Sequence, residues 1–140
     1  MFRYIKDTLY AEDVSVKGLA DKVGTPVYLY SRARLLENFR AFDQAFKRFP
    51  HLICFALKAN SNLSVARTFS REGAGTDIVS GGELYRAILA GFPAQKIVFS
   101  GVGKTEEEME YALREKILMF NVESMEEMEA QILRWSANSE

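Results

Sequence analysis

Lys58 is the residue of this chain whose type and position best suit covalent chemistry. It directly follows the apolar run 53–57, which would hold the stem of the lysine side chain inside a sheet. An amine at the rim of such a strand is partly desolvated, and desolvation favours the neutral, nucleophilic form that reacts with a carbonyl. The residues alone leave a second interpretation open, in which the lysine ends a strand and extends its amine into water.

Asp77 and the adjacent glycines Gly81 and Gly82 are the next candidates. Asp77 begins a short apolar run and could place a carboxylate near Lys58, where it would orient a cofactor or tune the amine. It could equally be a turn or strand-edge residue. The two glycines could offer free amides at a helix N-terminus to an anion, or they could only relieve crowding between a helix and a strand.

Other motifs exclude several kinds of site. The segment 101–105 ends in Gly-Lys-Thr, but a Walker-type phosphate loop needs a glycine where Val98 stands. His51 has no cysteine or histidine at ligand spacing, so no metal site is predicted. Cys54 is the only cysteine, which excludes an internal disulfide bond.

Five short apolar runs are predicted to be the strands that position these residues. They are rich in Val, Ile, Phe and Tyr, and they cover residues 27–30, 52–56, 77–79, 97–99 and 118–122. Each is followed by residues suited to cap a helix. These are Ser31, the segment 60–62, and the capping boxes Ser80/Glu83, Thr105/Glu108 and Ser124/Glu127. Apolar residues then recur with helical spacing, as in Leu63, Ala66 and Phe69.

The repeated order of strand, cap and helix predicts an α/β fold with a parallel sheet. Strand ends fall near residues 58, 80, 100 and 124, a spacing typical of successive βα units. The functional edge of such a sheet is the carboxyl end of its strands. The segments to consider are therefore 58–60, 77–83, 100–104 and 121–124.

Composition narrows the classes of partner. The 140 residues carry 18 basic and 19 acidic side chains, for a net charge of -1. This balance argues against a nucleic-acid or membrane-surface partner, since both require clustered positive charge. No apolar stretch is long enough to span a bilayer, and residues 1–7 lack the apolar stretch of a signal peptide. The expected location is the cytoplasm.

Several motifs in combination resemble one enzyme family. Residues 55–62 (FALKANSN) are similar to the cofactor-lysine motif of the fold-type III, alanine racemase-like decarboxylases that use pyridoxal phosphate. The similarity continues through 73–84 (GAGTDIVSGGEL), 98–105 (VFSGVGKT) and 120–124 (FNVES). Residues 9–13 and 24–31 are typical of the diaminopimelate decarboxylases among them.

The resemblance implies a (β/α)8 barrel that binds pyridoxal phosphate, a second β-rich domain, and an obligate dimer. Lys58 would be the lysine that binds the cofactor covalently, Ala56 would lie on the cofactor strand, and Asp77 would match an acidic residue near the cofactor. The implied reaction converts meso-diaminopimelate, an amino-acid substrate, to L-lysine and carbon dioxide.

The chain is expected to form the N-terminal half of such a barrel, as one segment of the barrel domain. Residues 1–31 would be a leading segment and strand, and residues 52–135 about four βα units, without the β-rich domain. We expect such a truncated region to be inactive alone and to self-associate, because a half barrel exposes two strand edges. Two alternatives stay open: another fold-type III decarboxylase, acting on ornithine, arginine or carboxynorspermidine, and a non-catalytic fragment.

Overall fold

The computed structural model describes residues 2–137, and the chain divides into two compact units, Met1–Phe49 and Pro50–Glu140. Each unit is described by itself below. None of the helices in the described residues is both long and apolar enough to cross a lipid bilayer.

The first unit contains a small antiparallel sheet of order β1-β2-β3 and two helices. Its elements are β1 (Phe2–Ile5), β2 (Thr8–Ala11), β3 (Val14–Ser15), α1 (Val16–Val23) and α2 (Arg32–Phe46). Ser31 caps α2 as predicted, since its hydroxyl accepts a hydrogen bond from Arg34 N. The Glu12 carboxylate accepts from both Ser31 Oγ and Ala33 N. This side chain therefore joins the turn between β2 and β3 to the start of α2.

The first unit differs from the sequence-based prediction in two ways. Strands β1, β2 and β3 were not predicted, because charged and polar residues interrupt their apolar pattern. The strand predicted at residues 27–30 is wrong: no strand forms there, and Tyr28 is 88% exposed. An apolar run becomes a strand only where a neighbouring strand accepts its backbone hydrogen bonds, and residues 27–30 have no such neighbour among the described residues.

The second unit confirms the α/β prediction. Its four parallel strands lie in the order β4-β5-β6-β7, and a helix follows each strand. The elements are β4 (Cys54–Ala56), α3 (Leu63–Arg71), β5 (Gly75–Ile78), α4 (Gly81–Ala90), β6 (Ile97–Phe99), α5 (Glu106–Glu115), β7 (Met119–Phe120) and α6 (Met125–Ala137). Each strand lies beside the one that precedes it in the chain, which is the order found in a (β/α) barrel; doubly wound sheets reverse direction instead.

The core of this unit lies between the sheet and one face of each helix. The predicted helical stripes supply the buried residues Ala66, Phe69, Leu84, Ala87, Met109 and Ala112. The Phe55 ring of β4 stacks on Phe69 of α3 with 4.3 Å between ring centroids. Thr105 and Glu108 form the predicted capping box at the start of α5.

Gly75 allows β5 to approach its surroundings closely. A Cβ atom at this position would lie 2.5 Å from the backbone oxygen of Lys96 and 2.9 Å from Cys54 Sγ. Both distances are far inside van der Waals contact, and the first involves backbone that cannot turn away. The start of β5 therefore has no room for a side chain.

Candidate active site

Strand register brings the predicted positions Ala56 and Asp77 side by side. Ala56 of β4 pairs with Asp77 of β5, and Asp77 pairs with Val98 of β6. Side chains alternate between the two faces of a strand, so these residues share one face of the sheet. The opposite face carries the fully buried Ile78 and Phe99, which lie toward the helices. Ala56 and Asp77 are only partly buried, and we call their side the open face.

Lys58 lies immediately beyond the carboxyl end of β4, in a single 3-10 turn at Leu57–Ala59. Leu57 is fully buried and anchors this turn. The Lys58 side chain is exposed, and its amine has no hydrogen bond or ion pair with any residue in the range 2–137. The described chain thus does not provide the desolvation that the sequence suggests. It does leave the amine accessible to a carbonyl compound.

Asp77 is bound by a chain of polar side chains that crosses three neighbouring strands. Ser100, which follows β6, donates from its hydroxyl to Asp77 Oδ1. Asn121, which follows β7, donates from Nδ2 to Ser100 Oγ at 2.8 Å. Backbone hydrogen bonds from Ser100 N to Ile78 O and from Asn121 N to Phe99 O extend the ladder beyond the strands. The carboxyl edge is therefore an ordered polar row.

Cys54 reports on the electrostatics of the same face. It lies two residues before Ala56 on β4, and its thiol is partly buried. Burial raises the pKa of the Cys54 thiol, and the negative charge of Asp77 raises it further. A thiol with a raised pKa is a poor nucleophile at neutral pH.

The N-terminus of α4 is occupied by a side chain of the chain itself. Gly81 N donates to Glu108 Oε1 at 2.7 Å, and a Cβ at Gly81 would lie 3.1 Å from Glu108 Cγ. Burial tends to raise the pKa of the Glu108 carboxyl, but hydrogen bonds from Gly81 and Thr105 outweigh it and hold this pKa below its usual value. The Gly81 amide thus binds an anionic group that the chain itself supplies, with close packing around it, whereas a Cβ at Gly82 would meet only Ser80 Oγ at 3.9 Å.

Lys104, from the rejected phosphate-loop motif, has a structural role. Its fully buried ammonium donates to Gly101 O at 2.6 Å, to Asn121 O at 2.8 Å and to Glu127 Oε1 at 2.7 Å. Phe99 lies beneath it, with 5.9 Å from Nζ to the ring centroid. All its donors are engaged within the protein, so it is not free to bind a phosphate.

Glu108 and Glu127 use their two carboxylate oxygens in the same way. Oε2 of each accepts a backbone N–H just before its own helix, from Thr105 and Glu123 respectively. Oε1 of each binds a group in the preceding βα unit, Gly81 N in one case and Lys104 Nζ in the other. Each glutamate thus joins its own βα unit to the preceding βα unit.

Ser100 and Asn121 are the residues of this edge that sequence reasoning located without a role. Both fall within the strand-end segments expected to be functional, and each directly follows a strand, β6 or β7. The only sequence signal for these two residues is their position directly after a strand. Their mutual hydrogen bond and their link to Asp77 depend on strand register, which the sequence pattern does not specify.

Known proteins are similar to this chain in sequence and in fold. Residues 32–140 match the family model described as "Pyridoxal-dependent decarboxylase, pyridoxal binding domain". The chain is 54% identical over 129 residues to diaminopimelate decarboxylase of Vibrio cholerae, which covers 91% of this chain and 31% of that protein.

Two solved structures give the corresponding comparison in three dimensions. Diaminopimelate decarboxylase of M. jannaschii, in complex with L-lysine, superposes with a TM-score of 0.96 at 34% identity, over 100% of this chain and 34% of that one. Lysine/ornithine decarboxylase of Vibrio vulnificus, complexed with cadaverine, superposes with a TM-score of 0.74 at 25% identity, over 82% and 31%. The chain spans about a third of the length of these relatives.

Proposed function

Since the chain belongs to the pyridoxal-dependent decarboxylases, through their pyridoxal binding domain, we propose that it is the N-terminal part of a diaminopimelate decarboxylase. The proposed reaction removes one carboxyl group of meso-diaminopimelate as carbon dioxide and leaves L-lysine. The observation that carries the proposal is Lys58, an accessible amine at the carboxyl edge of a parallel sheet. Such an edge is where barrel enzymes of this architecture bind their ligands.

The residues present fit pyridoxal phosphate. The cofactor needs an amine that can reach its aldehyde, and Lys58 offers one with no competing partner among residues 2–137. It also needs space for a planar ring, and the open face carries the small side chain of Ala56, next to Asp77 in register and two residues before Lys58 in the chain. When bound, pyridoxal phosphate accepts the electron pair left by the departing carbon dioxide.

Each of the three residues has a proposed part in binding. Lys58 holds the cofactor covalently and thereby fixes its position over the sheet. Ala56 leaves the open face free for the ring, where a larger side chain would occupy that space. Asp77 places a negative charge at the edge, which attracts a positively charged nitrogen of the bound group.

Diaminopimelate is proposed over other substrates because of the relatives. The chain is more similar in sequence to diaminopimelate decarboxylases than to the lysine/ornithine enzyme. Decarboxylation of ornithine, arginine or carboxynorspermidine is the second candidate, since the lysine/ornithine enzyme shares the same fold over most of this chain.

We also propose that the chain associates with copies of itself. Strand β7 lies at one edge of the sheet, and Leu118, Met119 and Val122 around it are between 44% and 48% exposed. An exposed apolar strand edge is a template for pairing with another chain. Sedimentation velocity is expected to give a dimer or larger species, and a monodisperse monomer would contradict this proposal.

Covalent trapping tests the assignment of Lys58. The purified chain is incubated with pyridoxal phosphate, reduced with borohydride and mapped by peptide mass spectrometry. We expect label on Lys58, no label at this site in Lys58→Ala, and unchanged labelling in the control Lys17→Ala, which alters an exposed lysine in the first unit. Label scattered over several lysines and unaltered by Lys58→Ala would refute the assignment.

Turnover tests the proposed substrate. The chain is joined to the remaining two thirds of the Vibrio cholerae relative, in place of that protein's own N-terminal segment. We expect release of carbon dioxide from meso-diaminopimelate and its loss in Lys58→Ala. Preference for ornithine or arginine would favour the second candidate, and a joined protein that binds the cofactor without turnover would favour the non-catalytic alternative.

A further inference from the structure

The polar row at the carboxyl edge is a hydrogen-bonded chain with one direction. Asn121 Nδ2 donates to Ser100 Oγ, and Ser100 Oγ donates to Asp77 Oδ1. An amide nitrogen can only donate and a hydroxyl has a single proton. Because Ser100 accepts from Asn121, its own proton is left for Asp77. The chain therefore ends on an accepting carboxylate oxygen, an arrangement that suits an ionised carboxylate.

Asp77 keeps its second oxygen for another partner. Oδ1 is held by Ser100, whereas Oδ2 has no donor within residues 2–137. The side chain is half-buried on the open face, directly beside Ala56, which lies two residues before Lys58 in the chain. A carboxylate that is fixed through one oxygen and uncommitted at the other is prepared to bind a cation.

We propose that Ser100 and Asn121 are positioning residues that hold Asp77 toward a positively charged nitrogen at the open face. The inference rests on the proposed function, since that nitrogen belongs to the cofactor or to Lys58 joined to it. Ser100 restricts rotation of the Asp77 carboxylate, and Asn121 sets the direction in which the Ser100 hydroxyl donates. Neither residue has to touch cofactor or substrate to act in this way.

The first test is a double-mutant cycle on cofactor affinity. It uses the chain joined to the remaining two thirds of the Vibrio cholerae relative, titrated with pyridoxal phosphate and followed by absorbance. We expect Ser100→Ala and Asp77→Asn each to raise the Kd about tenfold, the effect of losing a hydrogen bond to a charged group. The double variant is expected to lose no more than either single one, because both changes remove the same interaction.

Rescue and pH dependence separate positioning from packing. Ser100→Thr keeps a hydroxyl and is expected to retain the parent Kd. In Ser100→Ala, as in Asp77→Asn, the absorbance change of the bound cofactor is expected at lower pH, since a cationic nitrogen loses the carboxylate that stabilises it. A loss of packing alone would leave this pH profile where it is. If Ser100→Ala does not fold, Asn121→Ala carries the test, because its side chain is exposed, with an expected rise in Kd of about threefold.

Two results overturn the inference. One is a Ser100→Ala protein with the parent's Kd and pH profile while Asp77→Asn changes both, and the other is full additivity of the two substitutions. Lys58→Ala distinguishes these from failure of the proposed function. If Lys58→Ala abolishes binding and Ser100→Ala has no effect, only the inference fails. If the joined protein does not bind cofactor through Lys58, both fail.

Discussion

Replacement of Lys104 by methionine is expected to destabilise the second unit strongly. The Lys104 side chain is 0% exposed and its partner Glu127 is 11% exposed. The ammonium also donates to Gly101 O and Asn121 O, so it joins the loop after β6 to the end of β7 and to α6. Methionine matches the aliphatic stem of lysine but removes the charge and all three hydrogen bonds.

The size of the effect follows from what is left behind. Removing one partner of a buried ion pair costs about 3–5 kcal/mol, because the other charge stays buried without compensation. Here the Glu127 carboxylate would still accept from Gln131 Nε2 at 2.8 Å and from Glu123 N at 3.3 Å. These two donors favour the lower limit, so we expect a loss of about 3 kcal/mol. Combining Lys104→Met with Glu127→Gln removes both charges and should recover part of it.

Urea unfolding followed by circular dichroism measures the effect as a lower midpoint at constant slope. The matched control is Arg114→Met, which breaks an ion pair with Glu110 on α5 whose arginine side chain is 58% exposed. Exposed pairs one helical turn apart contribute only about 0.3–0.5 kcal/mol. The reasoning would be refuted if Lys104→Met lowered the free energy of unfolding no more than Arg114→Met does. It would also be refuted if the variant with both Lys104→Met and Glu127→Gln were less stable than Lys104→Met alone.

Three further predictions concern other positions. Gly75→Ala should lower the free energy of unfolding in urea by about 1–3 kcal/mol through overpacking. The control Gly103→Ala, where a Cβ meets nothing within 4 Å, should be neutral. Equal effects would contradict the close approach described at Gly75. Because hydrogen bonds hold the pKa of Glu108 below its usual 4.5, its charge stabilises the fold above that value and this stability is lost as the pH falls through the lowered pKa. Glu108→Gln should abolish that part of the acid dependence, and an unchanged acid-unfolding curve would count against it. Asp77→Asn should speed alkylation of Cys54 by iodoacetamide at mildly alkaline pH, because the negative charge of Asp77 contributes to the raised pKa of the thiol. An unchanged rate would contradict an electrostatic interaction between Asp77 and Cys54.

The parts of the fold that are encoded locally could be predicted from the sequence. A hydroxyl followed three residues later by glutamate predicts the start of a helix, and Thr105 with Glu108 forms that box. A buried run predicts a strand, and the run 97–99 is strand β6 in full. The run 27–30 has the same local character and is not a strand, since pairing depends on a neighbour that a local pattern does not reveal.

The contacts of the site depend on residues far apart in the chain. Asp77 and Ser100 are 23 residues apart, and so are Lys104 and Glu127. Register fixes which of them meet, and register is set by packing of the whole sheet. The sequence could therefore indicate the edge at which we propose the chemistry to lie and the lysine that we propose for it. It could not indicate that Lys104 is buried or that Ser100 binds a carboxylate.

The carboxylates that join neighbouring units have a consequence for the order of events during synthesis. Glu108 completes the start of α4 only after α5 has formed, and Glu127 neutralises Lys104 only after α6 has formed. The chain leaves the ribosome from its N-terminus. Each βα unit therefore emerges before the glutamate that completes its hydrogen bonds, because that glutamate belongs to the next βα unit. We therefore expect order to spread from one βα unit to the next with a lag of one helix, so that a nascent chain stalled before residue 127 would leave Lys104 without its carboxylate partner.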